Sequence, residues 1–365
     1  STGWAEADEA GAERQRRLGE LVAASGLSLC GPNCLGTISG REGLIQYPLR
    51  VAEWLRAGNV GAIFQSGALL YPYLRAAGER GTGFSYVASC GNEVGAGVAD
   101  YLKFMVEDEH TRVIVLLLEG LKQPEKFVAA LEMAETAGKA VAILKVGRSE
   151  RAAQSTLTHT GALAGSSRVF DALCERHGVA ICDSLDDLVE TGRLLAVSPR
   201  PRGQRAACLV FSGSLRSYLL DHVEENGMTL AEPAPATMEA IAGMAPLDLR
   251  IPNPLDCGSL FTQQARYLEI ARRLLDDPGV DLLLMEEHAP DPLRNRDPAL
   301  FKALAGATDK PVVILPETGF SLTPYAREFL ASAAIPYAQG VDRGLAAAGN
   351  LVRHAAAVQI GRAHV

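Results

Sequence analysis

No stretch of this sequence approaches the roughly 18 consecutive apolar residues needed to cross a bilayer. The N-terminus also lacks the charged-then-apolar pattern of a secretory leader. The expectation is a soluble, cytoplasmic protein with no membrane partner. Basic charge is not in excess either: 35 Lys and Arg face 43 Asp and Glu, a formal net charge of −8. That argues against a nucleic-acid or anionic-membrane surface, which needs clustered cations. It leaves small anionic substrates open. The seven cysteines include no C-x-x-C pair and are odd in number, so neither a disulfide framework nor a metal site is expected. No G-x-G-x-x-G follows a predicted strand, which weighs against a nicotinamide-dependent oxidoreductase.

What is present is an ordinary globular composition. Hydrophobic residues make up 48% and charged residues 21%, so a large core is expected rather than disorder. The 365 residues allow two or three domains. Apolar runs of strand length alternate with segments of helical period, the pattern of βα units around a parallel sheet.

Residues 1–4 read as the tail of a strand, followed by a helix over 9–24, a strand over 27–30 and a loop, GPNCLGTISG. A second region predicts strands at 59–65, 83–88, 113–118, 140–145 and 179–181. Its helices are predicted at 68–79, 95–107, 124–137, 166–177 and 186–196. The proline- and arginine-rich stretch 198–203 reads as a linker. A third region repeats the plan, with strands at 206–211, 282–285 and 312–315 and a helix at 215–226. F-Q-S-G-A-L at Phe64 and F-S-G-S-L at Phe211 stand at matching strand-to-helix turns. They suggest duplicated flavodoxin-like domains, or convergent use of Ser-Gly at such a turn. Both ends read as cut: the chain starts midway through a βα unit, and residues 360–365 match a translated frame of a sequencing adapter.

Three stretches carry candidate chemistry. Gln65-Ser66-Gly67-Ala68 ends a strand and opens a helix, where unpaired amides and the helix dipole favour a phosphate or carboxylate. The bland alternative is a simple N-cap. S-T-L-T-H-T-G-A-L-A-G at 155–165 sets His159 among small residues and hydroxyls before a helix, with Thr160 and Gly161 next to it. A histidine that accepts a phosphoryl group needs one neutral ring nitrogen, with the other nitrogen's proton held by a partner. Glu119 closes the apolar strand V-I-V-L-L-L, at the end that faces the ligand crevice of an open parallel sheet. It is either that partner or a solvated charge. Lastly, Gly31-Pro32-Asn33-Cys34-Leu35-Gly36 forms a turn after a strand; Cys34 reads as a small buried thiol, with nothing nearby in sequence to lower its pKa.

Taken together, GPNCLG, GNVGAIFQSGAL, L-L-L-E-G, K-V-G-R-S-E and T-H-T-G-A-L-A-G resemble the acyl-CoA synthetases that form a nucleoside diphosphate, relatives of succinyl-CoA synthetase. The resemblance is strongest from Gly31 to Ala196 and looser beyond, where it rests on Asn253-Pro254-Leu255-Asp256. It implies tandem flavodoxin-like, CoA-ligase-type α/β domains at 58–198 and 204–358, joined by a linker at 199–203. The remnant of a Rossmann-like CoA-binding domain would precede them at 1–57.

The resemblance also implies the reaction. An acid, CoA and a nucleoside triphosphate would give acyl-CoA reversibly, through an acyl phosphate and a phosphohistidine. His159 would be phosphorylated and Glu119 would orient it. Phosphate would rest on Ser66, Gly67, Ala68, Thr160 and Gly161, and on Ser212, Gly213 and Ser214. Asn33, Cys34, Gln65, Gly91 and Asn92 would lie near CoA or substrate. CoA and ATP or ADP with Mg are the implied cofactors. An ATP-grasp domain or β subunit would be the partner, and an oligomer is expected. The family's third-region turn is richer in glycine, and Arg216 is unusual there, where it could pair with phosphate or block it. The competing reading is a non-catalytic CoA- or acyl-CoA-sensing module of an acetyltransferase-type fusion.

Overall fold

The computed structural model describes residues 2–149, 151–152, 167–244 and 253–363. The chain divides into two compact units, residues 1–196 with 357–365, and residues 197–356.

The first unit holds helices α1 (Glu9–Ser25), α2 (Gly67–Glu79), α3 (Val98–Glu107), α4 (Pro124–Thr136), α5 (Ser167–Arg176) and α6 (Leu185–Val197). Its strands are β1 (Gly36–Ser39), β2 (Leu44–Gln46), β3 (Ala57–Phe64), β4 (Phe84–Ser89), β5 (Val113–Leu118), β6 (Ala140–Lys145) and β7 (Ala180–Cys182). They form one sheet in the order β2-β1-β4-β3-β5-β6-β7. The ladders from β4 to β7 are parallel, as the alternation predicts.

The near-continuous apolar strands are explained by burial on both faces. On one face Val60, Ala62, Phe64, Val113, Val115, Leu117, Ala142 and Leu144 pack with Leu70, Tyr73 and Leu74 of α2 and with Leu188 and Val189 of α6. On the other, Ile63, Ile114, Leu116, Leu118, Val141 and Ile143 pack with Leu102 and Met105 of α3 and Phe127 and Leu131 of α4. Odd and even positions of each strand thus serve opposite layers.

Three expectations for the first 50 residues fail. Residues 2–4 are not strand; the Gly3 and Trp4 amides instead donate to Glu6 Oε1 (3.0 and 3.2 Å). The stretch 27–30 makes only a single bridge, Cys30 with Ala96. Its backbone is taken up by the 92–96 loop, with the Ala96 amide donating to Leu29 O and the Val94 amide to Gly31 O (2.9 Å each). The loop read at 31–40 contains β1, which pairs antiparallel with β4 (Gly36 opposite Ser89) and with β2. The sheet is therefore mixed, and β1 and β2 extend the same sheet as β3 to β7.

The second unit holds β8 (Arg205–Val210), α7 (Gly213–His222), β9 (Thr229–Leu230), α8 (Pro235–Ala242), β10 (Leu255–Asp256), α9 (Gln264–Asp276), β11 (Leu282–Glu286), α10 (Pro298–Gly306), β12 (Val312–Leu315), α11 (Pro324–Ala333) and α12 (Val341–Ala363) up to residue 356, the last turns of α12 being counted with the first unit. Helix α7 stops four residues short of the expected 226, because residues 223–227 turn through Gly227 at positive φ to reach β9. The sheet runs β10-β8-β11-β12, all parallel, with β9 also on β8. β9 and β10 lie end to end along β8, pairing at Arg205–Ala206 and Leu209–Val210. Asn253 fills the gap between them. Its Nδ2 donates to Ala206 O and Ala231 O (2.8 and 2.9 Å), and its Oδ1 accepts from the Cys208 amide (2.8 Å). One core lies under Ala207, Leu209, Leu283, Met285 and Ile314, packed by Tyr267, Phe301 and Phe329.

Candidate active site

In the first unit the carboxyl ends of β3 and β5 and the loop after β4 meet at one side chain, Gln65. Its Oε1 accepts from the Glu119 amide and from the Gly120 amide (3.1 Å). Its Nε2 donates to Gly120 O (2.7 Å) and to Glu93 Oε1. The amide thus clamps the first two residues after β5, which fixes the backbone that presents Glu119. Lys145 adds a second clamp: its ammonium donates to Glu119 O (2.8 Å) and Val146 O (2.5 Å). Burial holds that ammonium below its usual pKa. Burial also pushes the Glu93 carboxyl up, against its bonds to Gln65 and to the Val98 amide (3.2 Å).

The α2 N-terminus lies beside this cluster in sequence and in the sheet. Ser66 is its N-cap, and its hydroxyl accepts from the Leu69 amide (3.4 Å). Gly67 is required by a close approach: a Cβ there would meet Leu35 Cγ at 2.8 Å. Leu35 is itself placed by Ser89, whose hydroxyl accepts the Leu35 amide (3.0 Å). The bare turn leaves the first amides of α2 available to an anion.

The turn expected to face CoA is built from Asn33, at φ 53°, and Gly91, at φ 60°. Asn33 Nδ2 donates to Asn92 Oδ1 (3.2 Å). Asn92 Nδ2 donates in turn to Glu6 Oε2 (2.8 Å) and Gln15 Oε1 (2.7 Å). A Cβ on Gly91 would sit 2.2 Å from Pro32 O, so the two loops touch through backbone. The structure thus brings Asn33, Gly91 and Asn92 together, and brings Gln65 to Glu119. Cys34 is half-exposed, not buried, and Cys30 Sγ lies 3.8 Å from its sulfur. The contact with Cys30 draws the Cys34 thiol down, against the expectation that nothing nearby lowers it. His159, Thr160 and Gly161 lie outside the described residues.

In the second unit Ser212 caps α7, its hydroxyl accepting from the Leu215 amide (3.4 Å). Ser212 and Ser214 line a cavity of about 650 Å³. Its other walls are Glu317, Thr318 and Gly319 after β12, and Gly340 to Arg343 at the start of α12. Gly213 has open space beside it, its Cβ position lying 3.8 Å from Asp256 Oδ2.

Sequence reasoning missed the carboxylates at the end of β11. Glu286 is 1% exposed, and its Oε2 accepts from the Phe211 (2.7 Å) and Ser212 (3.0 Å) amides, bracing the turn before α7. Its Oε1 is buried without a hydrogen-bond partner among the described residues. Burial pushes the Glu286 carboxyl up to about 7, with Glu317 and Asp256 adding repulsion. Glu287, also buried, pairs with Arg296 (2.9 Å) and is likewise pushed up to about 7 by burial. His288 Nδ1 lies 2.7 Å from Glu317 Oε1, and its ring packs at 5.0 Å from Phe211. The signal was legible: L-L-L-M-E-E-H repeats the strand-then-carboxylate ending of L-L-L-E-G.

Residues 57–195 match the family described as succinyl-CoA ligase like flavodoxin domain. The chain is 33% identical over 325 residues to a trans-feruloyl-CoA synthase from an unknown prokaryotic organism, covering 86% of this chain and 45% of that one. It is 28% identical over 363 residues to the α subunit of ADP-forming acetate–CoA ligase II of Pyrococcus furiosus, covering 97% of this chain and 77% of the subunit. The chain thus spans less than half the length of the feruloyl-CoA synthase. Among solved structures, a Pyrococcus horikoshii protein matches with TM-score 0.79 and 25% identity over 98% of this chain and 78% of its own. The fold is also that of the dinucleotide-forming acetyl-coenzyme A synthetase 1 of Ca. Korarchaeum cryptofilum, at TM-score 0.81 and 24% identity over all of this chain and 78% of that one. Residues 57–195 are therefore a succinyl-CoA-ligase-like flavodoxin domain, and the chain is a homologue of the ADP-forming acetate–CoA ligases.

Proposed function

We propose that this chain is a component of an acid–thiol ligase that makes acyl-CoA from a carboxylic acid, CoA and a nucleoside triphosphate. The route is an acyl phosphate and a phosphohistidine at His159, run reversibly. The observation that carries the reading is the placement of Glu119. It stands at the carboxyl end of β5, its backbone clamped by Gln65 and Lys145, next in the sheet to the α2 N-terminus. Full-chain similarity to an acetate–CoA ligase α subunit supports it.

In this reading the Ser66–Ala68 turn holds the migrating phosphoryl group with backbone amides, which stabilise charge without reorganising. The α7 turn at Ser212, Gly213 and Ser214 is the second phosphate rest. Glu119 orients the His159 ring and offsets the positive charge that forms on it. Asn33, Cys34, Gly91 and Asn92 lie toward the thioester end of CoA. An ATP-grasp domain or β subunit supplies ATP or ADP with Mg. The acid is a small or aromatic carboxylate, in line with the named relatives, acetate–CoA ligase and feruloyl-CoA synthase.

The test uses an acyl phosphate labelled in its phosphoryl group, which bypasses the nucleotide site. The chain should acquire label that is stable in base and lost in acid, and His159→Ala should abolish it. An unlabelled wild-type chain, or label that survives in the alanine variant, would overturn the reading.

A further inference from the structure

Of the seven cysteines, five (Cys90, Cys174, Cys182, Cys208 and Cys257) are buried, and only Cys30 and Cys34 are half-exposed. Those two are not dispersed. They flank the Gly31-Pro32-Asn33 turn with their sulfurs 3.8 Å apart, in van der Waals contact. A closure of roughly 2 Å separates that distance from a disulfide bond length. Gly31 leaves the space the pair needs, since a Cβ there would lie 2.7 Å from Cys34 Sγ. The two thiols are also unequal. Cys30 Sγ donates to Ser89 O (3.3 Å) and its thiol is pushed up, first by its bond to Cys34 and then by burial. Cys34 is the one drawn toward thiolate by its neighbour. The Tyr101 hydroxyl bonds Cys30 and favours its ionised form.

We propose that Cys34 and Cys30 form a thiol–disulfide exchange site that takes small disulfides, with Cys34 attacking and Cys30 resolving. The Cys34 thiolate attacks one sulfur of a small disulfide R–S–S–R. A Cys34–S–S–R bond forms, the R–S–S–R bond breaks, and one R–S⁻ leaves with the electron pair. Cys30 then gives its proton to solvent and its thiolate attacks the Cys34 sulfur. The internal disulfide forms and the second R–S⁻ is expelled. Two protein thiols are oxidised, and one small disulfide is reduced to two thiols, which take up the two protons. The order follows from the hydrogen bonding: Ser89 O, 3.3 Å from Cys30 Sγ, holds the Cys30 proton more closely than Cys30 O, 3.6 Å from Cys34 Sγ, holds that of Cys34, so Cys34 is the thiol freer to supply the attacking thiolate. The site stands on its own sulfurs and does not depend on the phosphohistidine reading.

The experiment treats the reduced chain with oxidised glutathione, blocks remaining thiols with N-ethylmaleimide and maps tryptic peptides by mass. The peptide spanning residues 18–41 should lose the mass of two hydrogens and carry no maleimide. The Cys30→Ser variant should instead retain a glutathionyl group on Cys34, while Cys34→Ser should leave Cys30 unmodified. Two maleimides on the oxidant-treated wild-type peptide would overturn the proposal. So would a stable glutathione adduct there, or a disulfide to any other cysteine. The wild-type result decides the matter even if a serine variant fails to fold.

Discussion

Gln65 and Glu119 divide two tasks. Gln65 spends its amide on the backbone of Glu119 and Gly120, so it shapes the site without needing to touch a reactant. The Glu119 side chain extends from a backbone held independently of its charge. Glu119→Gln should therefore leave the fold intact and slow His159 phosphorylation by about 100-fold, the usual yield of a positioned acid–base partner. Rapid-quench labelling with acyl phosphate would measure it, and an unchanged rate would mean that the carboxylate only closes a strand. Both residues were legible in the sequence as the ends of apolar runs, but their partnership was not, since it joins positions 54 apart through a sheet.

Glu286 makes a prediction of a different kind. Burial opposes ionisation and pushes its folded carboxyl up to about 7, against 4.5 for a solvent-exposed glutamate. Between those values the folded chain holds a proton that the unfolded chain has lost. This contribution to stability is therefore present at low pH, falls as pH rises through that window, and is fully lost above it. Replacement by Gln removes the titration, so the urea midpoint of Glu286→Gln should fall less between about pH 5 and about pH 8. The difference is on the order of 1–3 kcal/mol. Parallel pH curves for the two proteins would show that Glu286 does not titrate in this window.

At the scale of elements, strands buried on both faces were the easiest to read. β5 and β6 coincide with their apolar runs because no residue in them has to face water. The first 50 residues were misread because their structure depends on partners far away in the chain: β1 needs β4, and Cys30 needs Ala96. The start of β3 shows the same dependence. Its register against β4 shifts twice between Ala57 and Ala62. There the two backbones approach so closely that a Cβ on Gly58 would lie 2.4 Å from Gly83 Cα. Backbone cannot rotate aside as a side chain can. Gly58→Ala should thus cost about 2–3 kcal/mol through strain at the β3–β4 ladder. A lowered urea midpoint with an unchanged slope would record it. A substitution with no effect would show that the irregular ladder tolerates a wider spacing.

For the whole molecule, the second unit contains everything its sheet requires. Every ladder of β8 to β12 and every member of its core cluster lies between residues 205 and 337. Among the described residues, Asn253 is the side chain that completes the β8 ladder where β9 stops and β10 has not begun. The resemblance marked Asn253-Pro254-Leu255-Asp256 as a shared motif, and the structure gives the asparagine a structural task. A piece spanning residues 197–363, which keeps α12 whole, should accordingly unfold in one cooperative urea transition. Asn253→Ala in that piece strands the Cys208 amide and two carbonyls away from water. At about 1–3 kcal/mol for an unsatisfied buried group, with partial relaxation, the loss should be roughly 2–4 kcal/mol. Hydrogen exchange should show the Cys208 amide, slow in the parent piece, becoming the first of β8 to exchange. If that amide stays protected in the variant, the asparagine is not what closes the gap in the ladder.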